Sequence, residues 1–159
     1  CLVVCIGTDR STGDALGPLV GTRLNEKGFD QSRLFGTLDD PVHAVNLQET
    51  INKISHSYAD PFVIAIDACL GQYTSVGSVQ VGFGPLKPGA GVNKDLPSIG
   101  HMHITGIVNV SGFMEYFVLQ NTRLSQVMHM ARLISDALYS VMLIKDQTQT
   151  FRKALPSPL

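Results

Sequence analysis

The chain has 159 residues, a length that fits one folded domain with one hydrophobic core. Hydrophobic residues make up 44% of it and charged residues 16%, a composition that is too apolar for a disordered protein. The formal net charge of −1 provides no basic surface for a phosphate backbone, so we do not expect nucleic acid as a partner.

The chain carries no visible sorting signal. Its longest apolar runs are too short to span a membrane, and no signal peptide is visible. Cys1 stands where an initiating Met would and opens an apolar run, so we expect an upstream segment to be missing. Cys1, Cys5 and Cys69 lack the spacing of a disulfide framework, which indicates a reducing compartment. We therefore expect a cytoplasmic protein with no membrane partner.

Strand and helix patterns alternate from the start of the chain. Residues 2–7 form a continuous apolar run, which is typical of a strand buried on both faces. Leucine and valine then recur at helical spacing over residues 16–24, and Gly28 closes that segment. Residues 33–38 predict a second, weaker strand.

Two further strands are expected in the middle of the chain. Asn46 followed by Glu49 predicts a capping box at the start of a second helix. Residues 62–68, "FVIAIDA", are the clearest strand pattern. Residues 76–82 alternate imperfectly, which predicts an edge strand or a bulged one.

The second half of the chain begins with a long loop. Residues 84–97 are rich in Gly and Pro, which excludes regular structure and is typical of a functional or mobile loop. We expect a short helix after His103 and a strand at residues 116–120. A long helix follows, with one face marked by Leu124, Val127, Met128, Ala131, Ser135, Leu138, Val141 and Met142. The tail beyond Asp146 is expected to fray.

This order of elements predicts an α/β fold with three layers, in which helices cover both faces of one mixed, mostly parallel sheet. We expect one domain over residues 1–146 and a polar C-terminal tail over residues 147–159. Ligands of such sheets bind beyond the carboxyl ends of the strands. The loops after residues 7, 68 and 82 are therefore where a site is expected.

Three polar residues fall in those places: Asp14, Asp67 and His103. A carboxylate that ends an apolar strand is partly desolvated, which raises its pKa unless a partner or a metal compensates. Asp67 could instead accept backbone N–H bonds from the next loop. Asp14 precedes a helix and could be its N-cap. His103 could be a structural histidine, and its neighbour His101 even more readily.

Asp14, Asp67 and His103 allow two kinds of chemistry. Two aspartates and a histidine would suit Zn²⁺, Ni²⁺ or a similar ion with an open position for water. Without a metal, two nearby carboxylates could share a proton and act as acid and base. Weaker alternatives are a thiolate at Cys69 paired with His103, and phosphate binding at "PGAGVNK".

The blocks "STGDALGPLVG", "FVIAIDA" and "KPGAGVNKDLPSIG" resemble those of the spore germination protease, which degrades small acid-soluble spore proteins. Over residues 1–112 the chain is similar to the YyaC-type sporulation proteins. It also resembles the hydrogenase maturation endopeptidases, which recognise nickel in a hydrogenase subunit and trim its tail. This resemblance implies a phosphorylase/hydrolase-like fold.

The resemblance also implies roles for the three residues. Asp14 and Asp67 match the two acidic metal ligands of the maturation endopeptidases and the two essential aspartates of the germination protease. The first ligand of the maturation group is commonly the longer Glu. "HITG" matches the histidine motif of that group and selects His103, whereas the germination protease does not share the histidine.

The sequence thus favours a peptidase of sporulation or germination, in which Asp14 and Asp67 activate a water molecule. The loop 84–97 would accept an extended protein or peptide substrate, with Gly89, Gly91 and Asn93 as substrate-binding residues. No cofactor is required, and a divalent metal would involve Asp14, Asp67 and His103. The alternatives are a non-catalytic peptide-binding module and a small metal-binding regulator.

Overall fold

A computed structural model of the protein describes residues 1–89 and 96–154, with side chains as far as Lys145. Five strands form one sheet, in the order β2-β1-β3-β5-β4. All neighbours are parallel except β4, which runs antiparallel to β5 at one edge. The strands are β1 (Leu2–Cys5), β2 (Leu34–Phe35), β3 (Val63–Gly71), β4 (Val79–Phe83) and β5 (Met102–Val110). The predicted mixed, mostly parallel sheet is confirmed.

Four α-helices cover the two faces of this sheet, so the fold has the three layers that the sequence predicts. They are α1 (Leu16–Glu26), α2 (Leu47–Ser57), α3 (Glu115–Gln120) and α4 (Leu124–Ala154). Helices α1 and α4 share one hydrophobic core with the sheet. Helix α2 packs in a second core on the opposite face.

Strand β1 explains why the first run of the sequence is continuously apolar. All four of its residues are buried. Val3 and Cys5 pack in the core shared with α1 and α4, whereas Leu2 and Val4 pack in the core under α2. A strand that is covered on both faces has no solvent side, so it carries no polar alternation.

The predicted capping box at the start of α2 is wrong. Asn46 occupies the N-cap position, but its side chain makes no capping hydrogen bond. Its Oδ1 accepts a hydrogen bond from the backbone N–H of His43 at 2.7 Å, and its Nδ2 donates to the carbonyl of Pro41 at 2.9 Å. The side chain therefore fixes the loop before the helix instead of the first turn.

The elements predicted around His103 and at residues 116–120 are also wrong. His103 lies inside β5, which pairs with β3 on one side and β4 on the other. Residues 116–120 belong to α3, which is held to the sheet by the Asn109 side chain. That amide donates to the Val118 carbonyl at 3.3 Å and to Thr122 Oγ1 at 3.2 Å. These tertiary contacts outweigh the local strand propensity.

Helix α4 is confirmed, although its buried face differs in part from the predicted one. Leu124, Met128 and Val141 are exposed, while the buried face consists of Val127, Met130, Ala131, Ile134, Ser135, Leu138 and Met142. The helix continues to Ala154. By length and hydropathy, Leu124–Lys145 could cross a membrane. Its buried face nevertheless packs against α1 and the sheet, as the core helix of a globular domain does.

Candidate functional site

The sheet order creates a crevice between β1 and β3. The chain leaves β1 through α1 on one face and reaches β3 through α2 on the other, so the topology switches between these two strands. Open α/β sheets bind ligands at such a switch point, beyond the carboxyl ends of the strands. Asp14 arrives there on the segment after β1. Asp67 lies on β3 one residue beyond Ile66, which pairs with the last residue of β1.

Two glycines allow the segment that carries Asp14 to pack directly against the end of β1. A Cβ atom at Gly7, whose φ is +146°, would lie 2.0 Å from the Asp14 carbonyl oxygen. A Cβ atom at Gly17 would lie 2.0 Å from the carbonyl oxygen of Ile6. The N–H of Thr8 donates to the Asp14 carbonyl at 3.1 Å. The spacing of glycines around Asp14 thus reflects a close backbone approach.

Asp14 is not the N-cap of α1, which was the main alternative for this residue. It is the middle residue of a 3₁₀ turn, Gly13–Ala15, and Ala15 holds the N-cap position of the helix. Gly13 lets α3 approach, because a Cβ atom there would lie 2.7 Å from the Leu119 side chain. The turn is therefore packed between β1 and α3, and Asp14 lines the same crevice as Asp67.

Burial raises the pKa of Asp67 to about 8, from an ordinary value of 3.8. The Asp67 Oδ1 accepts the N–H of Ala68 at 2.8 Å, which lowers the pKa. The charge of Asp14 raises it further, and the N–H of Gly89 lowers it. Asp67 is half-buried, and the exposed part of its surface lines the crevice. Burial is the dominant cause, so a proton stays on this carboxyl through neutral pH.

Two cavities meet at this pair of carboxylates, and we call them the small lobe and the large lobe. The small lobe has a volume of about 100 Å³ and the large lobe about 290 Å³. Both are lined by Asp14, Asp67, Gly89 and Leu119. A larger cavity of about 420 Å³ lies between β2 and α2 and is lined by neither aspartate. The carboxylate pair therefore marks the site better than volume does.

His103 does not line either lobe. The register pairs His103 with Ala65, whereas Asp67 pairs with Thr105. Two residues along a strand correspond to about 7 Å, so His103 lies too early on β5 to reach the aspartates. Its ring nitrogen Nδ1 is 3.0 Å from the Gly84 carbonyl, which makes Nδ1 the donor. Within residues 1–89 and 96–154, no three His, Cys, Asp or Glu side chains are grouped to hold a metal.

The two other side chains considered from the sequence have structural partners. His101 Nδ1 accepts the N–H of Val63 at 3.1 Å, and its ring stacks on Phe62. Burial raises the pKa of the Cys69 thiol, a hydrogen bond to Thr105 lowers it, and the charge of Asp67 raises it. Cys69 pairs with Ile107, four residues from His103 along β5, so the thiol and imidazole are not placed as a catalytic pair.

The loop after β4 closes one side of the crevice. Leu86 and Ile99 form an isolated antiparallel bridge with hydrogen bonds of 2.8 and 3.0 Å, which anchors both ends of the loop. Gly89 has a φ of +69° and donates its N–H to Asp67. The structure thus places Gly89 at the carboxylates, whereas Gly91 and Asn93 lie outside the described residues.

Comparison with known families shows to which family the chain belongs. Residues 1–137 match the model of a family described as protein of unknown function, DUF1256. The chain belongs to the DUF1256 family. It is 64% identical over 137 residues to uncharacterized protein YyaC of Bacillus subtilis (strain 168), covering 86% of this chain and 67% of that protein. The resemblance to YyaC-type proteins is confirmed.

A solved structure supports the fold of this DUF1256 chain. The NiFe hydrogenase maturation protease HycI from Thermococcus kodakarensis KOD1 matches with a TM-score of 0.56. The match covers 88% of this chain and 90% of that one at 15% identity. HybD, a NiFe hydrogenase maturation protease from Thermococcus kodakarensis, matches with a TM-score of 0.49 and 16% identity over 87% and 97% of the two chains. At 15% identity, the HycI match shows a shared fold and no more.

Sequence reasoning missed several residues of the candidate site. Leu119 lines both lobes, and Tyr116 lines the large one, because α3 packs over the Asp14 turn. Thr105 lines the small lobe opposite Asp67. The one sequence signal for these positions was the β-branched content of residues 102–110, which indicates that Thr105 belongs to a strand.

Proposed function

We propose that this protein is an endopeptidase that acts on a protein substrate during bacterial sporulation or germination. The observation that carries the proposal is the meeting of Asp14 and Asp67 in one crevice, where burial keeps a proton on Asp67. The fold shared with HycI and the resemblance to the spore germination protease support it. The expected compartment is the cytoplasm of the sporulating cell, in line with the composition of the chain.

In this proposal the two carboxyl groups have complementary roles, with Asp67 carrying the proton that burial keeps on it and Asp14 acting as the base. The Asp14 carboxylate accepts a proton as the water oxygen attacks the amide carbon, and the protonated Asp67 donates to the carbonyl oxygen. As the tetrahedral intermediate collapses, the proton on Asp14 passes to the leaving nitrogen and the C–N bond breaks. The carbonyl proton returns to Asp67. Both residues then regain their starting states, and one water molecule has been consumed.

The residues do not fit a metal site of the kind found in the maturation endopeptidases. His103 lies under the loop after β4, with its Nδ1 directed to Gly84, and no third donor of this kind joins the two aspartates in residues 1–89 and 96–154. Two carboxylates alone are a sparse set for Zn²⁺ or Ni²⁺. We therefore propose that the two aspartates act without a resident metal.

A non-catalytic peptide-binding module is the second candidate. It is favoured by the two backbone N–H groups, of Ala68 and Gly89, that donate to the Asp67 carboxyl. Carboxyl groups with a structural role are held by such bonds. In that case Asp67 would fix the loop after β4 around a bound peptide and would not transfer a proton.

The experiment is digestion of small proteins extracted from spores, followed by mass spectrometry of the products. Asp67→Asn and Asp14→Asn should each reduce turnover by about 100- to 10,000-fold, because each removes one proton-transfer group. Asp136→Asn is the matched control, since Asp136 forms a surface salt bridge with Lys27 at 3.0 Å, away from the crevice. Excess EDTA should leave the rate unchanged.

Equal digestion by the wild type and Asp67→Asn would remove the proposed chemistry. Saturable binding of the same proteins without any cleavage product, retained in Asp67→Asn, would favour the binding module. Loss of turnover in EDTA, with recovery on adding Zn²⁺ or Ni²⁺, would contradict the metal-free form of the proposal.

A further inference from the structure

The two lobes lie on different sides of the carboxylate pair. The small lobe is built over β3 and β5, by Cys69 and Thr105 among others, and the large lobe over the end of β1. Successive side chains of an extended peptide point in opposite directions. A peptide that presents one bond to Asp14 and Asp67 can therefore place the side chain before the bond in one lobe and the side chain after it in the other.

The small lobe limits the size of the side chain that it can accept. Its volume is about 100 Å³, and its walls include Cys69, Leu86, Thr105 and Leu119. An apolar protein cavity of about 150 Å³ holds a benzene molecule, so a lobe of this size is too small for an aromatic ring. The Thr105 hydroxyl already forms a hydrogen bond with the Cys69 side chain. The lobe thus suits a small aliphatic side chain.

The large lobe has room for a bulky side chain. It has a volume of about 290 Å³, and its lining includes the apolar side chains of Val45, Leu96 and Tyr116 beside the polar side chains of Arg10 and His43. Val45 is 90% exposed and Tyr116 is 56% exposed, so large apolar groups border this opening. Exposed apolar groups gathered at a cavity mark a ligand surface. Leucine, methionine, phenylalanine and tyrosine side chains fit this volume.

Building on the proposed peptidase function, we propose that the cleaved bond joins a small residue, from alanine to valine in size, to a large apolar residue. The order of the two along the substrate chain is an outcome of the test. The substrates would be extended segments with this small–large pair, and bonds between two bulky residues would be excluded because the small lobe cannot hold either side chain.

The test is cleavage of a peptide library, made by digesting denatured bacterial proteins, with the cut bonds read by mass spectrometry. In the wild type, one side of the cut bond should be restricted to alanine, serine and valine, and the other enriched in large apolar residues. Cys69→Leu should fill the small lobe and reduce cleavage at valine relative to alanine by about 10-fold or more. Cys69→Ala should enlarge the small lobe and raise cleavage at leucine relative to valine.

The large lobe has its own variant and control. Val45→Trp should reduce cleavage next to aromatic residues, whereas Val141→Trp, at an exposed valine of α4 that lines neither lobe, should not. Asp67-dependent cleavage without any size restriction, or an unchanged profile in Cys69→Leu, would overturn the two-lobe inference while the peptidase function stands. No Asp67-dependent cleavage at all would overturn the proposed function, and the inference with it.

Discussion

Asp67 holds its proton at the expense of folding stability. The folded state binds that proton up to about pH 8, whereas the unfolded chain releases it near the ordinary value of 3.8. Between these two values the folded state carries more protons than the unfolded state, so the free energy of unfolding falls as the pH rises. Below this window both states are protonated, and above it both are ionised.

This linkage predicts how stability depends on pH. From pH 4 to pH 8, the wild type should lose stability relative to Asp67→Asn by on the order of a few kcal/mol, because asparagine has no proton to lose. Urea unfolding of both proteins at several pH values measures the difference. A constant difference across this range would mean that Asp67 titrates normally in the folded protein.

At this scale the sequence was informative where burial determines chemistry. The apolar run before Asp67 predicts desolvation, and the structure agrees that burial is the main influence on this carboxyl. The role of His103 could not be predicted in the same way, because its distance from Asp67 depends on the register of β5 against β3. A shift of two residues decides whether the histidine reaches the crevice, and register is a tertiary property.

The close packing of α1 against the end of β1 positions the site. Gly17 lies in the first turn of α1 and contacts the backbone of Ile6 rather than a movable side chain. Any side chain there would push the helix, and with it the turn carrying Asp14, away from the crevice.

Gly17→Ala should therefore destabilise the protein by about 3 kcal/mol, at the upper end of the usual cost of overpacking, and should reduce turnover as well. Gly28→Ala is the comparison. Its Cβ atom would meet nothing within 4 Å, and its φ of +80° is the one source of strain, which costs about 1 kcal/mol. Chemical denaturation measures both, and equal losses would show that α1 is not seated as described.

Most long elements could be predicted from their apolar patterns, β1 and β3 from continuous apolar runs and α1 and α4 from helical spacing, although the buried face of α4 differs in part from the predicted one. Strand β5 and helix α3 could not. The pattern of β5 is interrupted by Gly106, which makes room for Leu16 and Met130. Helix α3 has strand-forming residues and is fixed by Asn109 from the neighbouring strand. In both cases contacts from distant parts of the chain determine the structure.

For the molecule as a whole, α4 decides whether this is one globular core or a domain with a separable apolar helix. Its length and hydropathy are compatible with either arrangement. In the structure, Arg23 Nε of α1 donates to the buried Ser135 Oγ of α4 at 3.2 Å, and Lys27 pairs with Asp136. The Arg23–Ser135 contact fixes the register of α4 on α1, whereas the exposed Lys27–Asp136 pair contributes little.

Leu138→Ala should consequently lower the free energy of unfolding by about 3 kcal/mol, because it leaves a cavity in the shared core. Val141→Ala, at an exposed position of the same helix, should change it by less than about 0.5 kcal/mol. Thermal or urea unfolding compares the two. A neutral Leu138→Ala would contradict the packing of α4 as a core helix.

The pairing of Asp14 and Asp67 can be tested without knowing any substrate, by NMR titration of the Asp67 carboxyl carbon in the wild type and in Asp14→Asn. We predict an apparent pKa of about 8 for Asp67 in the wild type. A lower value is expected in Asp14→Asn, which remains above 3.8 because burial persists. Titration of Asp67 near 3.8 in the wild type, or no change in Asp14→Asn, would contradict a shared, partly dry crevice.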